Sequence, residues 1–77
     1  MEWTYEITAS SKPKVLMRLV QVFDQQLLTI SSLHLIQSED HVKITVTVGV
    51  ETKLAYRILA KLYNQVDVQD VDLHIRP

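Results

Sequence analysis

Between Val42 and Val48 the chain reads VKITVTV. Side chains of an extended strand alternate between its two faces, so Val42, Ile44, Val46 and Val48 share one face and Lys43, Thr45 and Thr47 the other. Such a strand needs a second layer over its apolar side. Two segments supply one. From Pro13 onward, Val15, Leu16, Leu19, Val20, Val22 and Phe23 recur at helical spacing, opposite Lys14, Arg18, Gln21, Asp24 and Gln25. Further on, Leu54, Ala55, Ile58, Leu59 and Leu62 form a second stripe, opposite Lys53, Arg57, Lys61 and Asn64.

Three more segments read as strands. Trp3, Tyr5 and Ile7 alternate with Thr4, Glu6 and Thr8, and Val71, Leu73 and Ile75 alternate with Asp70, Asp72 and His74. The segment LLTISSLHLIQ, Leu27 to Gln37, changes parity between Ile30 and Leu33 and carries apolar groups on both faces. The polar turn SEDH joins it to VKITVTV as a hairpin. Pro13 suits a first helical turn, where its missing N–H costs nothing. Ser11 is the better cap by chemistry, although Lys12 is closer by spacing; Thr52 is expected to cap the second helix. The order is βαββαβ. With right-handed crossovers it predicts an α+β, ferredoxin-like single domain over residues 1–77: a four-stranded antiparallel sheet with two helices on one face.

Composition removes several function classes. There is no cysteine, so disulfides and thiolate metal sites are ruled out and a reducing cytoplasm is the expected location. A net charge of −1 gives no field to gather nucleic acid or anionic lipid, and no apolar run approaches a membrane span. The N-terminal MEWTYE lacks a signal-peptide layout. An acyl-phosphate hydrolase of this topology would need glycine and arginine after the first strand, where the chain has Ala9-Ser10-Ser11-Lys12. An RNA-binding sheet would need aromatic groups on its third strand, which has none. His34, His41 and His74 lie in separate elements without closely spaced partners, and Asp67, Asp70 and Asp72 read as a solvated strand face and its approach. The expectation is no catalytic residue and no metal site.

What remains is an interaction module. In this topology the second strand lies at a sheet edge, and an apolar edge is a liability unless paired. Pairing with its own copy predicts a homodimer whose interface includes Ile30, Ser32, Leu33 and Leu35. That dimer would set the loop before the first helix of one chain beside the start of the second strand of the other.

The run Ser11-Lys12-Pro13-Lys14-Val15-Leu16-Met17-Arg18, then Phe23, Thr29-Ile30 and Ser32-Leu33, resembles an ACT domain. More narrowly it is similar to the small regulatory subunit of acetolactate synthase, whose pattern is Asn-x-Pro-Gly-Val-Leu-x-Arg, a Phe, then Asn-Ile and Ser-Leu. The resemblance implies an effector pocket at Ser11, Lys14, Val15, Thr29, Ile30 and Ser31. It also implies a catalytic large subunit as partner, a branched-chain amino acid as possible effector, and no cofactor in this chain. Thiamine diphosphate, FAD and magnesium would belong to the partner. Ser11 and Thr29 stand where the family has Asn, and Lys14 and Leu27 where it has Gly. A side chain at Lys14 obstructs close approach of a ligand to the backbone. The short, ACT-only form of the subunit, with weak or no valine feedback, is the implied role; a stand-alone amino-acid-sensing ACT module is the alternative.

Overall fold

The computed structural model describes residues 1–26 and 28–76, in the order β1 (Glu2–Ser10), α1 (Val15–Asp24), β2 (Ile30–Gln37), β3 (His41–Gly49), α2 (Thr52–Tyr63) and β4 (Val68–Arg76). The sheet order is β2-β3-β1-β4 with every neighbouring pair antiparallel, which is the ferredoxin-like arrangement expected from the pattern. β1 is central, paired with β3 from Glu2 to Ser10 and with β4 from Glu2 to Ala9.

Alternation along β1 and β3 is realised as read. Trp3, Tyr5, Ile7 and Ala9 are buried, as are Val42, Ile44, Val46 and Val48. Val15, Leu19, Val22 and Phe23 of α1 and Ala55, Ile58 and Leu62 of α2 join them in one core. Each large side chain enclosed this way contributes roughly 1.5–3 kcal/mol. Tyr5 touches both helices. Its ring meets Phe23 edge-on at 5.3 Å, and its hydroxyl donates to the Ala55 carbonyl at 2.6 Å.

Several boundaries differ from the sequence reading. α1 begins at Val15, two residues after Pro13, and its cap position is Lys14 rather than Ser11 or Lys12. The cap of α2 is Glu51; Thr52 is already helical, and no side chain caps either helix. Leu16 is 38 % exposed and Val20 half-buried, because the apolar stripe of α1 is wider than the surface it covers. β2 starts at Ile30, and its change of parity appears as an irregularity in the β2–β3 register between Ile30 and Ser32. No described helix is long and apolar enough to cross a membrane.

Burial pushes the Tyr5 hydroxyl up to about 12, so the folded chain keeps it protonated where an unfolded chain, ionising near pH 10, does not. The folded pKa lies above the unfolded one. Stability from this group is therefore complete below pH 10 and falls as pH rises from 10 toward 12, by up to roughly 2–3 kcal/mol. Tyr5→Phe is expected to lose about 1 kcal/mol at neutral pH, and to show a smaller loss than the wild type on going to alkaline pH. Denaturant midpoints of both proteins on either side of pH 10 check this.

Candidate functional site

The loop between β1 and α1 leaves the buried strand and is gripped from two sides. The Ser10 N–H donates to the Asp67 carbonyl at 2.8 Å, and the Ser11 N–H donates to the Asp40 carbonyl at 3.2 Å. Asp67 precedes β4, and Asp40 lies in the β2–β3 turn, so both flanking connections hold the loop. The Gln37 amide, at the end of β2, donates to the Ser11 hydroxyl and to the Ser38 carbonyl.

Asp67 is the electrostatic centre of this end of the molecule. Its carboxylate lies 3.1 Å from Lys12 Nζ and 3.7 Å from Arg18 Nη1, with only 11 % of its side chain exposed. The sequence reading placed Asp67 with Asp70 and Asp72 on a solvated face. Asp70 and Asp72 are exposed, but Asp67 is an enclosed ion-pair partner, brought to Lys12 and Arg18 by a contact spanning most of the chain. No local signal marks it, nor Gln37 and Asp40, because each reaches the loop through the fold.

Lys14 and Asp67 are the described non-glycine residues with positive φ, at 72° and 77°. Asp tolerates this left-handed conformation, whereas for lysine it costs roughly 1–2 kcal/mol. The backbone at Lys14 thus takes the form a glycine adopts freely. The equivalence of Leu27 to a glycine lies outside the described residues.

Among the six sequence-derived effector residues, the chain gathers Ser11, Lys14 and Val15 at the start of α1. Ser11 is half-buried, Lys14 exposed and Val15 buried. Thr29, Ile30 and Ser31 lie at the other end of β2, where Ile30 pairs with Val48 while Gln37 pairs with Val42. That separation is roughly 20–25 Å at strand rise. Within one chain the six residues therefore fall into two separated groups. Of the four residues assigned to the dimer interface, Ser32, Leu33 and Leu35 are exposed, while Ile30 is half-buried against the chain's own core.

The histidines are less isolated than spacing implied. His74 Nε2 lies 3.0 Å from Glu6 Oε2, and Glu6, Asp72 and His74 bring ligand atoms within 4.8 Å of one another. Antiparallel pairing of β1 with β4, which sets Glu6 opposite Asp72, makes this cluster. All three side chains are exposed on the open face of the sheet. At the β2–β3 turn, a hydrogen bond from His41 holds the Asp40 carboxyl below its usual range.

The profile of the ACT-like domain family matches residues 1–76. No curated protein sequence matches. Among solved structures, the ACT domain of a GTP pyrophosphokinase from Chlorobium tepidum superposes with a TM-score of 0.88 at 15 % identity, over 96 % of this chain and 97 % of that one. The acetolactate synthase small subunit from Thermotoga maritima gives 0.83 at 23 % identity, over 95 % of this chain and 47 % of that one. A formyltetrahydrofolate deformylase from Pseudomonas putida gives 0.82 at 11 % identity, over 99 % and 29 %. At these identities the likeness is one of fold.

Two substitutions test the loop. Lys14→Gly is expected to raise stability by up to about 1 kcal/mol, the relieved left-handed strain being partly offset by added freedom of the unfolded chain. Asp67→Asn keeps a residue that accepts positive φ and removes the ion pairs. It is expected to cost about 1 kcal/mol at low salt, and less at high salt. Chemical denaturation at two ionic strengths measures both.

Proposed function

Because this chain belongs to the ACT-like domain family, we propose that it is a non-catalytic activating small subunit of acetolactate synthase, working in the cytoplasm as a dimer joined through β2. The observation that carries the dimer is the character of that edge. β2 is eight residues long, and Leu33, Leu35 and Ile36 are 47 %, 41 % and 58 % exposed along it. The opposite edge, β4, exposes Asp70, Asp72 and His74, charged or polar groups of the kind that discourage strand addition. A second copy on β2 would extend the sheet and cover the leucines.

The assignment to acetolactate synthase is supported by the run from Ser11 to Arg18 with Phe23, Thr29-Ile30 and Ser32-Leu33, and by the glycine-like backbone at Lys14. The catalytic subunit would carry the thiamine diphosphate, FAD and magnesium. This chain would act by binding the active conformation of that subunit better than the inactive one, shifting its population. Valine feedback is weak or absent in this reading, because the Lys14 side chain stands where a ligand would meet the backbone.

A second reading, a stand-alone amino-acid sensor, is favoured by one feature. No side chain caps the start of α1, and exposed Lys14 stands at its cap position outside the Asp67 ion pairs, a setting suited to a ligand carboxylate. Calorimetric titration with valine, leucine and isoleucine tests it; no heat at millimolar concentration eliminates it.

For the leading reading, adding the chain to a thiamine-dependent catalytic subunit is expected to raise acetolactate output, and no change on any such subunit removes the assignment. Leu33→Asp or Leu35→Asp is expected to shift the chain toward monomer or aggregate in sedimentation and to abolish activation. An unchanged dimer would show that β2 is not the interface.

A further inference from the structure

Resting on the β2-edge dimer proposed above, we propose that its two-fold axis passes through His34, and that the two His34 imidazoles form a shared site for a divalent transition-metal ion such as Zn²⁺. The register follows from the faces of β2. Residues directly opposite in an antiparallel pair project to the same side. Leu33, Leu35 and Gln37 pair with the core-side Val46, Ile44 and Val42, whereas Ser32, His34 and Ile36 pair with Thr47, Thr45 and Lys43 on the open face. Like faces must meet, so the axis passes through a residue and not between two.

The irregularity between Ile30 and Ser32 confines regular pairing to residues 32–37. An axis at Leu35 sets Leu33 against Gln37, and an axis at Leu33 sets Leu35 against Ser31. Only an axis at His34 opposes Leu33 to Leu35 twice, covering all four exposed leucines with one another. The same register sets Ser32 of the second copy against Ile36, beside Gln37, whose amide already holds Ser11. It therefore also brings the start of one β2 toward the loop before α1 of the other copy.

His34 then faces its own copy across the axis. Opposed Cβ atoms lie about 4.5–5.5 Å apart, close enough for two imidazole nitrogens to converge on one ion at about 2.0–2.1 Å each. The ring is uncommitted: among the described residues His34 makes no side-chain hydrogen bond, whereas His41 contacts Asp40 and His74 contacts Glu6. An open groove of ≈ 490 Å³, lined in part by Ser32, His34, Thr45 and Thr47, leaves room for the water ligands that complete the coordination. Imidazole suits Zn²⁺, Ni²⁺ and Cu²⁺ and not Mg²⁺ or Ca²⁺. A single chain supplies only one of the two imidazoles, so the site exists only in the dimer.

The chain lacks cysteine, so His34→Cys carries a lone thiol. Under mild oxidation it is expected to form a disulfide-linked dimer, and Leu33→Cys is not. Calorimetry of the untagged chain with ZnCl₂ is expected to show one ion per two chains. His34→Ala is expected to lower that affinity at least about tenfold while remaining folded and dimeric in sedimentation. A wild-type chain that stays monomeric with and without Zn²⁺ overturns the β2 dimer and this site with it. A dimer in which His34→Cys fails to cross-link overturns the register alone. Cross-linking without Zn²⁺ binding, or Zn²⁺ binding lost in His74→Ala and kept in His34→Ala, overturns the metal site and leaves the dimer standing.

Discussion

β1 has to be satisfied on both edges and covered on one face at once. Its backbone pairs with β3 on one side and β4 on the other, and Trp3, Tyr5, Ile7 and Ala9 all turn toward the helices. Tyr5 links the layers, with Phe23 of α1 against its ring and the Ala55 carbonyl of α2 on its hydroxyl. With β1 and β3 in the centre, the two helical crossovers leave β2 and β4 at the edges. The chemistry that the two edges expose follows from that placement.

The two edges are chemically unlike. β4 carries Asp70, Asp72 and His74 on the open face, and Asp72 sits opposite Glu6, an arrangement that resists another strand. β2 carries Leu33 and Leu35 on the helix side, and neither helix covers them. The free apolar edge and the held loop are also adjacent. Gln37 closes β2 and bonds Ser11, while Asp67 fixes Lys12 and Arg18 just behind. Anything that paired with the Gln37 end of β2 would therefore lie close to the start of α1.

Local pattern carried the architecture well. Period-two alternation identified β1, β3 and β4 and placed Val42, Ile44, Val46 and Val48 in the core, strand-forming composition identified β2, and helical spacing found both buried stripes. Even the parity change in β2 was legible, since a bulge leaves a one-residue offset in the sequence. Caps were misread because a serine or threonine near a helix start is only a candidate. Here the backbone turns at Lys14 and Glu51, and Ser11 is engaged by Gln37.

The sequence by itself determined the order of elements and the face each one buries, because these depend on periodicity and on neighbours within one turn. Tertiary structure alone decided that Asp67 closes on Lys12 and Arg18, that Glu6, Asp72 and His74 converge, and that Ser11 and Ser31 stand at opposite ends of β2. Each of those relations joins residues that become neighbours only when strands pair across the sheet, and strand pairing is set by which faces can be buried together, not by distance along the chain.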